Sequence, residues 1–264
     1  MLILSCSSKL RLLEGTLQRR FPNTLQVYGT VMAINRGNPA AQEVLVDSWP
    51  DFKVVLTRPR REVKWHRMTD FYTNTYTVYY QDLGARWAVQ VLSTGDRPSA
   101  SLVTCAPKHL GESLDPAVRL LSLDVSHADL LNETWAFGGN EKSRKYLASL
   151  IRHFPSVCLL DAAGHPVSWI ASDPFGAMGP GYTLPQHRGR GYMGMLNNLI
   201  AKRLHALGYP SYGYVAVENY PMQRLQERQG FQRQPSLCHF ILHNPALAKA
   251  PTLTPSPALG TAPV

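Results

Sequence analysis

The sequence predicts an α/β protein in which a mixed central sheet is flanked by helices. Three observations carry that reading. Residues 143–154 place Leu147, Leu150, Ile151 and Phe154 at i, i+3, i+4 and i+7, a single apolar helical face, and Pro155 ends the run. From residue 118 onward, strand-like stretches (118–125, 157–160, 167–171, 181–184, 212–217, 236–242) alternate with helical ones (128–135, 143–154, 191–207, 220–228). Finally, the stretch at 181–184 runs through a glycine-rich turn straight into a helix whose apolar face is Met195, Leu196, Leu199, Ile200 and Leu204.

The earlier elements follow in order. Leu10, Leu13, Leu17 and Phe21 recur at helical spacing, with Ser7 or Ser8 as cap and Pro22 as stop, which predicts a packed first helix. Residues 25–34 (LQVYGTVMAI) read as a strand, followed by a turn from Asn35 to Pro39. Short strands are expected at 43–46 and 52–57, and the Thr, Tyr and Val of 73–80 favour another. Gly84, Gly95, Pro98, Pro107, Gly111 and Pro116 punctuate residues 81–117, which read as an irregular connection. In the second half, Asp161 to Gly164 make a hairpin turn, and Gln229, Gly230 and Phe231 join the last helix to the last strand. Beyond residue 243, Pro, Ala and Thr predominate and predict a disordered tail. The chain thus divides into 1–115, 116–243 and a tail at 244–264.

Composition narrows the function classes. A hydrophobic share of 44% against 17% charged residues belongs to a globular chain. The net charge of +9 attracts polyanions, but zinc-finger spacing and aromatic–basic RNA signatures are missing, so no nucleic-acid partner is predicted. A phosphate-rich nucleotide such as CoA accounts for the charge equally well. Cys6, Cys105, Cys158 and Cys238 lack metal-ligand and redox spacing; they read as reduced thiols, and no metal site is predicted. No apolar run approaches the roughly 20 residues of a membrane span. Arg11, Arg19 and Arg20 could belong to a mitochondrial targeting helix, but the leucine spacing around them is that of a packed one.

The chemistry concentrates in residues 182–194. A strand closes at Leu184, the chain turns, and a helix begins near Gly191. The first N–H groups of a helix, here those around Tyr192 and Met193, have no partner in the helix, and the helix dipole adds positive potential. Glycine at Gly189 and Gly191 lets the main chain come close to phosphate, and Arg188 and Arg190 add charge.

These residues resemble the Q/R-x-x-G-x-G/A pyrophosphate loop of the GNAT acyltransferases. Read from Gln186, Gly189 and Gly191 both fit; read from Arg188, Gly191 fits and Met193 takes the last small position. Asn219, eleven residues before Gly230-Phe231, is similar to the second GNAT signature, an Asn opening a helix ahead of a terminal strand. Within that fold the chain resembles the glycine N-acyltransferase family, on strings such as Val27-Tyr28-Gly29-Thr30-Val31, Leu123-Asp124-Val125-Ser126-His127-Ala128 and Gly181-Tyr182-Thr183-Leu184-Pro185. The resemblance implies a GNAT fold with a GNAT-like N-terminal half, and transfer of an acyl group from acyl-CoA to the amine of glycine or a related amino acid. It further implies acyl-CoA as co-substrate with no permanently bound cofactor, and a mitochondrial setting with the cytoplasm as alternative; the spacing does not give the oligomeric state, and a monomer is the default expectation. Its CoA-binding positions here are Leu184, Arg188, Gly189, Arg190, Gly191, Tyr192, Met193 and Asn219.

The catalytic positions depart from the family pattern. The Glu that follows Leu-Pro in the family is Gln186 here, and an amide orients a water or an amine but takes no proton. His187 and Glu218 are the substitute bases, although a continuing strand would turn His187 to the face opposite Gln186. Where many GNAT enzymes carry a Tyr acid, this chain has Gln226. Three readings stay open: an amino-acid N-acyltransferase of reduced activity, a protein or polyamine N-acetyltransferase on the same fold, and a catalytically weakened CoA-binding protein. Trp49, Trp135 and Trp169 read as core, the Asp124/His127 pair as a helix start, and Gly138 to Glu141 as a turn.

Overall fold

The structure is a computed structural model that describes residues 1–60, 72, 75–81 and 119–234, together with the backbone of 100–105. Two sheets organise it. The smaller is antiparallel, in the order β1 (Leu2–Ile3), β2 (Gln42–Val46), β3 (Val54–Pro59), β4 (Thr77–Tyr80), and carries helices α1 (Ser7–Gln18) and α2 (Leu25–Asn35).

The expected cap of α1 is not used. Cys6 is the N-cap residue, Ser7 already lies inside the helix, and no side chain caps its amides. The strand expected at 25–34 is also overturned, because this segment is α2. Its Val, Thr and Tyr content mimics a strand, yet eight of its eleven residues are buried, so it is apolar nearly all round. Such a run cannot be told from a strand by periodicity, and packing decides it. Gly29 shows how close that packing is: a Cβ there would lie 1.7 Å from the Phe175 carbonyl oxygen.

The larger sheet has seven strands in the order β11 (Phe231–Gln234), β5 (Ala100–Cys105), β10 (Ser211–Ala216), β9 (Met178–Thr183), β8 (Pro166–Ser172), β7 (Ser156–Leu160), β6 (Arg119–Leu121). Strand β5 corrects the reading of 81–117 as irregular, since it runs antiparallel between β10 and β11 and pairs along both. Apart from Gln81, the rest of that stretch lies outside the described residues, as do the strand expected at 236–242, the tail at 244–264 and the start of the one expected at 73–80. The strand expected over 118–125 is short; beyond Leu121 the chain turns through a 3₁₀ segment, Val125–His127, which Asp124 caps. Phe231, expected in a connection, opens β11.

Helices cover both faces of this sheet. On one face lie α3 (Ala128–Thr134) and α4 (Glu141–His153), where Leu147, Leu150 and Ile151 meet Cys158, Leu160 and Trp169. The Asn140 side chain caps α4 by accepting N–H bonds from Lys142 and Ser143. On the other face α5 (Tyr192–Ala206) buries Leu196, Ile200 and Leu204 against Val157, Leu159 and Ile170. That core continues into Leu13, Val27 and Val31 of the N-terminal half, so the two halves share one interior. Helix α6 (Tyr220–Arg228) follows β10, and its Leu225 packs over Gly194. Among the described residues, no helix is long and apolar enough to cross a membrane.

Candidate active site

The site begins where two neighbouring strands separate. β9 and β10 are parallel and share a single register pair, Met178 with Gly213. Past that point β10 stays with β5 up to Ala216, whereas β9 follows β8 up to Thr183. An extra residue in β9, between the pairs Ser172–Met178 and Ile170–Gly181, bends it away, and Pro180 in that stretch has no N–H to bridge the strands. A gap therefore opens between the C-terminal halves of two parallel strands, where open α/β sheets place their ligands.

Alternation along β9 sets what faces the gap. The Leu184 amide donates to the Val167 carbonyl, and Tyr182 pairs with Trp169, so these two residues bond to β8. The main-chain groups of Gly181 and Thr183 then point the other way, across the gap. The side chains of Thr183 and Ser168 meet on the α5 face, 2.7 Å apart. Tyr182 lies on the α4 face, its ring 5.7 Å from that of the buried Trp169.

Beyond Leu184 the strand does not continue. Pro185–His187 form a 3₁₀ turn, closed by the His187 amide on the Leu184 carbonyl and the Arg188 amide on the Pro185 carbonyl. The condition under which His187 would turn to the face opposite Gln186, a continuing strand, is therefore not met, because Pro185 starts a tight turn instead. Gln186 is exposed. His187 is half-buried beside the Tyr192 ring, 6.5 Å between centroids, and its Nδ1 is buried with no hydrogen-bond partner among the described residues.

The turn then passes through Gly189 and Gly191, both at φ 78°, into α5. This left-handed conformation suits glycine, and nothing lies within 4 Å of where a Cβ would be at either residue, so the main chain is bare. Gly191 is the N-cap and offers no side-chain acceptor. The first helical bond is from the Met195 amide to the Gly191 carbonyl. Among the described residues, the main-chain N–H groups of Gly189, Arg190, Gly191, Met193 and Gly194 have no acceptor. Arg190 is exposed beside them. Arg188 is placed differently from the expectation: its Nε donates to the Thr183 carbonyl at 3.1 Å, and its guanidinium lies over the Tyr182 ring, 5.3 Å from the centroid.

Across the gap the end of β10 is tied off. Gln223 Nε2 donates to the carbonyls of Ala216 and Val217, and the Asn219 side chain accepts the Met222 amide as the N-cap of α6. Glu218 is exposed in the turn between them. The fold thus gathers Leu184 through Met193 into one turn and sets Glu218 and Asn219 at the other rim. It also brings in a residue that spacing alone left without a role. Gln226 is buried under the point of separation, its Nε2 3.8 Å from where a Cβ of Gly213 would be, and its Oε1 has no partner among the described residues. Asn197 and Gln229 bond to each other beside it and tie α5 to the end of α6. Among the described residues, no group of three or more His, Cys, Asp or Glu could hold a metal ion.

Comparison with known proteins gives a consistent result. Residues 1–96 and 88–155 match a family described as aralkyl acyl-CoA:amino acid N-acyltransferase, and residues 157–241 match the C-terminal region of that family. The glycine N-acyltransferase-like protein Keg1 of Mus musculus is 33% identical, over 85% of this chain and 93% of that protein. Glycine N-acyltransferase of Bos taurus is 32% identical, over 89% of this chain and 97% of that one. Among solved structures, a Drosophila protein is similar in fold with a TM-score of 0.69 at 15% identity, covering 89% of this chain and 95% of the other. A GCN5-related N-acetyltransferase-like protein from Streptococcus suis is similar at a TM-score of 0.49 and 11% identity, covering 87% and 96%.

Proposed function

We propose that the chain, which belongs to the aralkyl acyl-CoA:amino acid N-acyltransferase family, has the GNAT fold and transfers an acyl group from acyl-CoA to the amine of glycine or a similar amino acid. The observation that carries this reading is the row of acceptor-free amides at Gly189, Arg190, Gly191, Met193 and Gly194, beside the gap between β9 and β10. A diphosphate is a demanding anion to bind, needing several donors at close range without intervening side chains. Bare glycine backbone at a helix N-terminus supplies them. Arg190 adds charge at the same place, and the gap gives a pantetheine arm a path to the edges of two strands.

The chemistry asks for little beyond positioning. A neutral amine nitrogen attacks the thioester carbon, the C–S bond breaks, CoA leaves as thiol or thiolate, and the amine's proton passes to a base or to water. Main-chain N–H groups along β9 that face the gap polarise the thioester oxygen. His187, with its unpartnered Nδ1, and Glu218, exposed at the opposite rim, are the side chains able to take a proton; Gln186 orients the amine or a water. Gln226, under the point of separation, can donate a hydrogen bond to the departing sulfur but carries no proton to give. Turnover below that of a Glu-bearing relative follows, and Gln186→Glu should raise kcat on the order of 10-fold or more. The mitochondrion is the compartment we propose, by likeness to the family.

CoA release is the direct assay: acetyl-, benzoyl- and oleoyl-CoA against glycine, other amino acids and spermidine. Release with an amino acid supports the proposal. Preference for spermidine favours a polyamine N-acetyltransferase. If CoA raises the melting temperature but no acceptor is used, the chain is a CoA-binding protein, a reading that Gln186 and Gln226 favour.

A further inference from the structure

Arg188 lies in the glycine-rich turn by sequence, but its side chain leaves that turn. The Thr183 carbonyl that accepts its Nε points into the gap, because the neighbouring rungs of β9 are committed to β8. The Tyr182 ring beneath the guanidinium belongs to the α4 face, opposite the face that bears α5 and the diphosphate-binding amides. The guanidinium is therefore at the rim of the gap, on the side away from the CoA-binding helix. One hydrogen bond and one ring fix its plane. Its two terminal nitrogens have no carboxylate partner among the described residues. Two other cations on this side, both on α4, are paired: Arg144 with Asp129 and Glu141, and Lys145 with Glu141.

We infer that Arg188 recognises the carboxylate of the acceptor, and so selects α-amino acids over polyamines and protein lysines. The inference rests on the acyl-transfer reading above and adds to it the residue that sets acceptor class. The argument is one of reach. In an α-amino acid the carboxylate is two bonds from the amine nitrogen, so a cation that binds one while the other attacks within the gap must stand at the rim itself. A planar fork with both ends available makes the bidentate pair that a carboxylate prefers, which an ammonium does not reproduce. At the same distance from its amine a polyamine or a lysine side chain carries only methylene groups, which offer the guanidinium no partner.

The experiment is steady-state kinetics on the full chain, measuring CoA release for the wild type, Arg188→Gln and Arg188→Lys, with glycine and with glycinamide as acceptors. For Arg188→Gln the expected result is a rise in the KM for glycine of roughly 10- to 100-fold, with the KM for acyl-CoA within about twofold of wild type. The penalty should vanish with glycinamide, whose amine remains but whose carboxylate is gone, and Arg188→Lys should recover part of the loss. A rise in the KM for acyl-CoA with that for glycine unchanged would place Arg188 in the diphosphate loop and overturn the inference. An equal penalty for glycine and glycinamide would overturn it too. Both results leave acyl transfer standing. A wild type that uses no amino acid at all removes the acyl-transfer reading and the inference together.

Discussion

The two ends of strand β9 pose the same physical problem and solve it in opposite ways. At the turn leading into β9, the amides of Phe175 and Ala177 are taken by the Asp173 carboxylate, each at 2.9 Å. At the turn leading out, the amides of Gly189, Arg190, Gly191, Met193 and Gly194 have no acceptor among the described residues. The first turn carries its own carboxylate; the second leaves its amides bare, as the proposed diphosphate site requires. The start of α6 resembles the first, since Asn219 supplies the oxygen there. A strand–turn–helix by itself therefore does not mark an anion site. What marks it is the replacement of an internal acceptor by glycine.

That contrast can be broken most sharply by giving the outgoing turn an acceptor of its own. Gly191→Asp places a carboxylate at the N-cap of α5, and Asp tolerates positive φ better than most residues. The amides become engaged and the local potential negative. CoA affinity measured by calorimetry should fall on the order of 100-fold, given about 1.5–3 kcal/mol for each hydrogen bond to a charged group. Melting temperature without CoA should change little. Unchanged affinity would mean that these amides do not hold the diphosphate.

The converse change removes the charge from the turn leading into β9. Burial pushes the Asp173 carboxyl up to about 7, against the lowering effect of the Ala177, Phe175 and Gly176 amides. With its folded-state value above the ordinary 3.8, the folded protein holds this proton more tightly than the unfolded chain. Its contribution to stability is complete at low pH and is lost as pH rises from about 4 through about 7. Asp173→Asn keeps an acceptor for both amides and does not ionise. Melting temperatures of wild type and variant, scanned across that window, should diverge in favour of Asn toward neutral pH; parallel curves would refute this.

The smallest expected effect is at α6. Asn219→Ala removes a filled cap and should cost about 1 kcal/mol of stability, seen as a lower midpoint in urea. Its CoA affinity should stay within a few-fold of wild type. A large loss of CoA binding would show instead that Asn219 contacts CoA directly.

Much of the site was legible because it is local. Glycines at Gly189 and Gly191, arginine between them and an apolar helical face after them all lie within one stretch of chain. The face of Leu147, Leu150 and Ile151 was equally readable, since helix signals act over three or four residues; the cap at Asn140, inside a stretch read as a turn, was not. The errors fell where long-range packing decides. The segment from Leu25 to Asn35 carries strand-like residues and became a helix because it is enclosed on nearly every side. Residues 100–105 gave no periodic signal strong enough to name a strand, and their place between β10 and β11 is set by partners more than a hundred positions away.

The sequence by itself determined the glycine-rich turn and the helix that follows it, because covalent order fixes which amides are adjacent. The tertiary structure decided that β9 and β10 part after Met178 and Gly213, that Gln226 sits beneath the parting, and that Arg188 turns toward Tyr182 and away from the face that carries α5. Strand pairing and ring contacts join residues remote in the chain or on opposite faces of a sheet, and no local spacing encodes them.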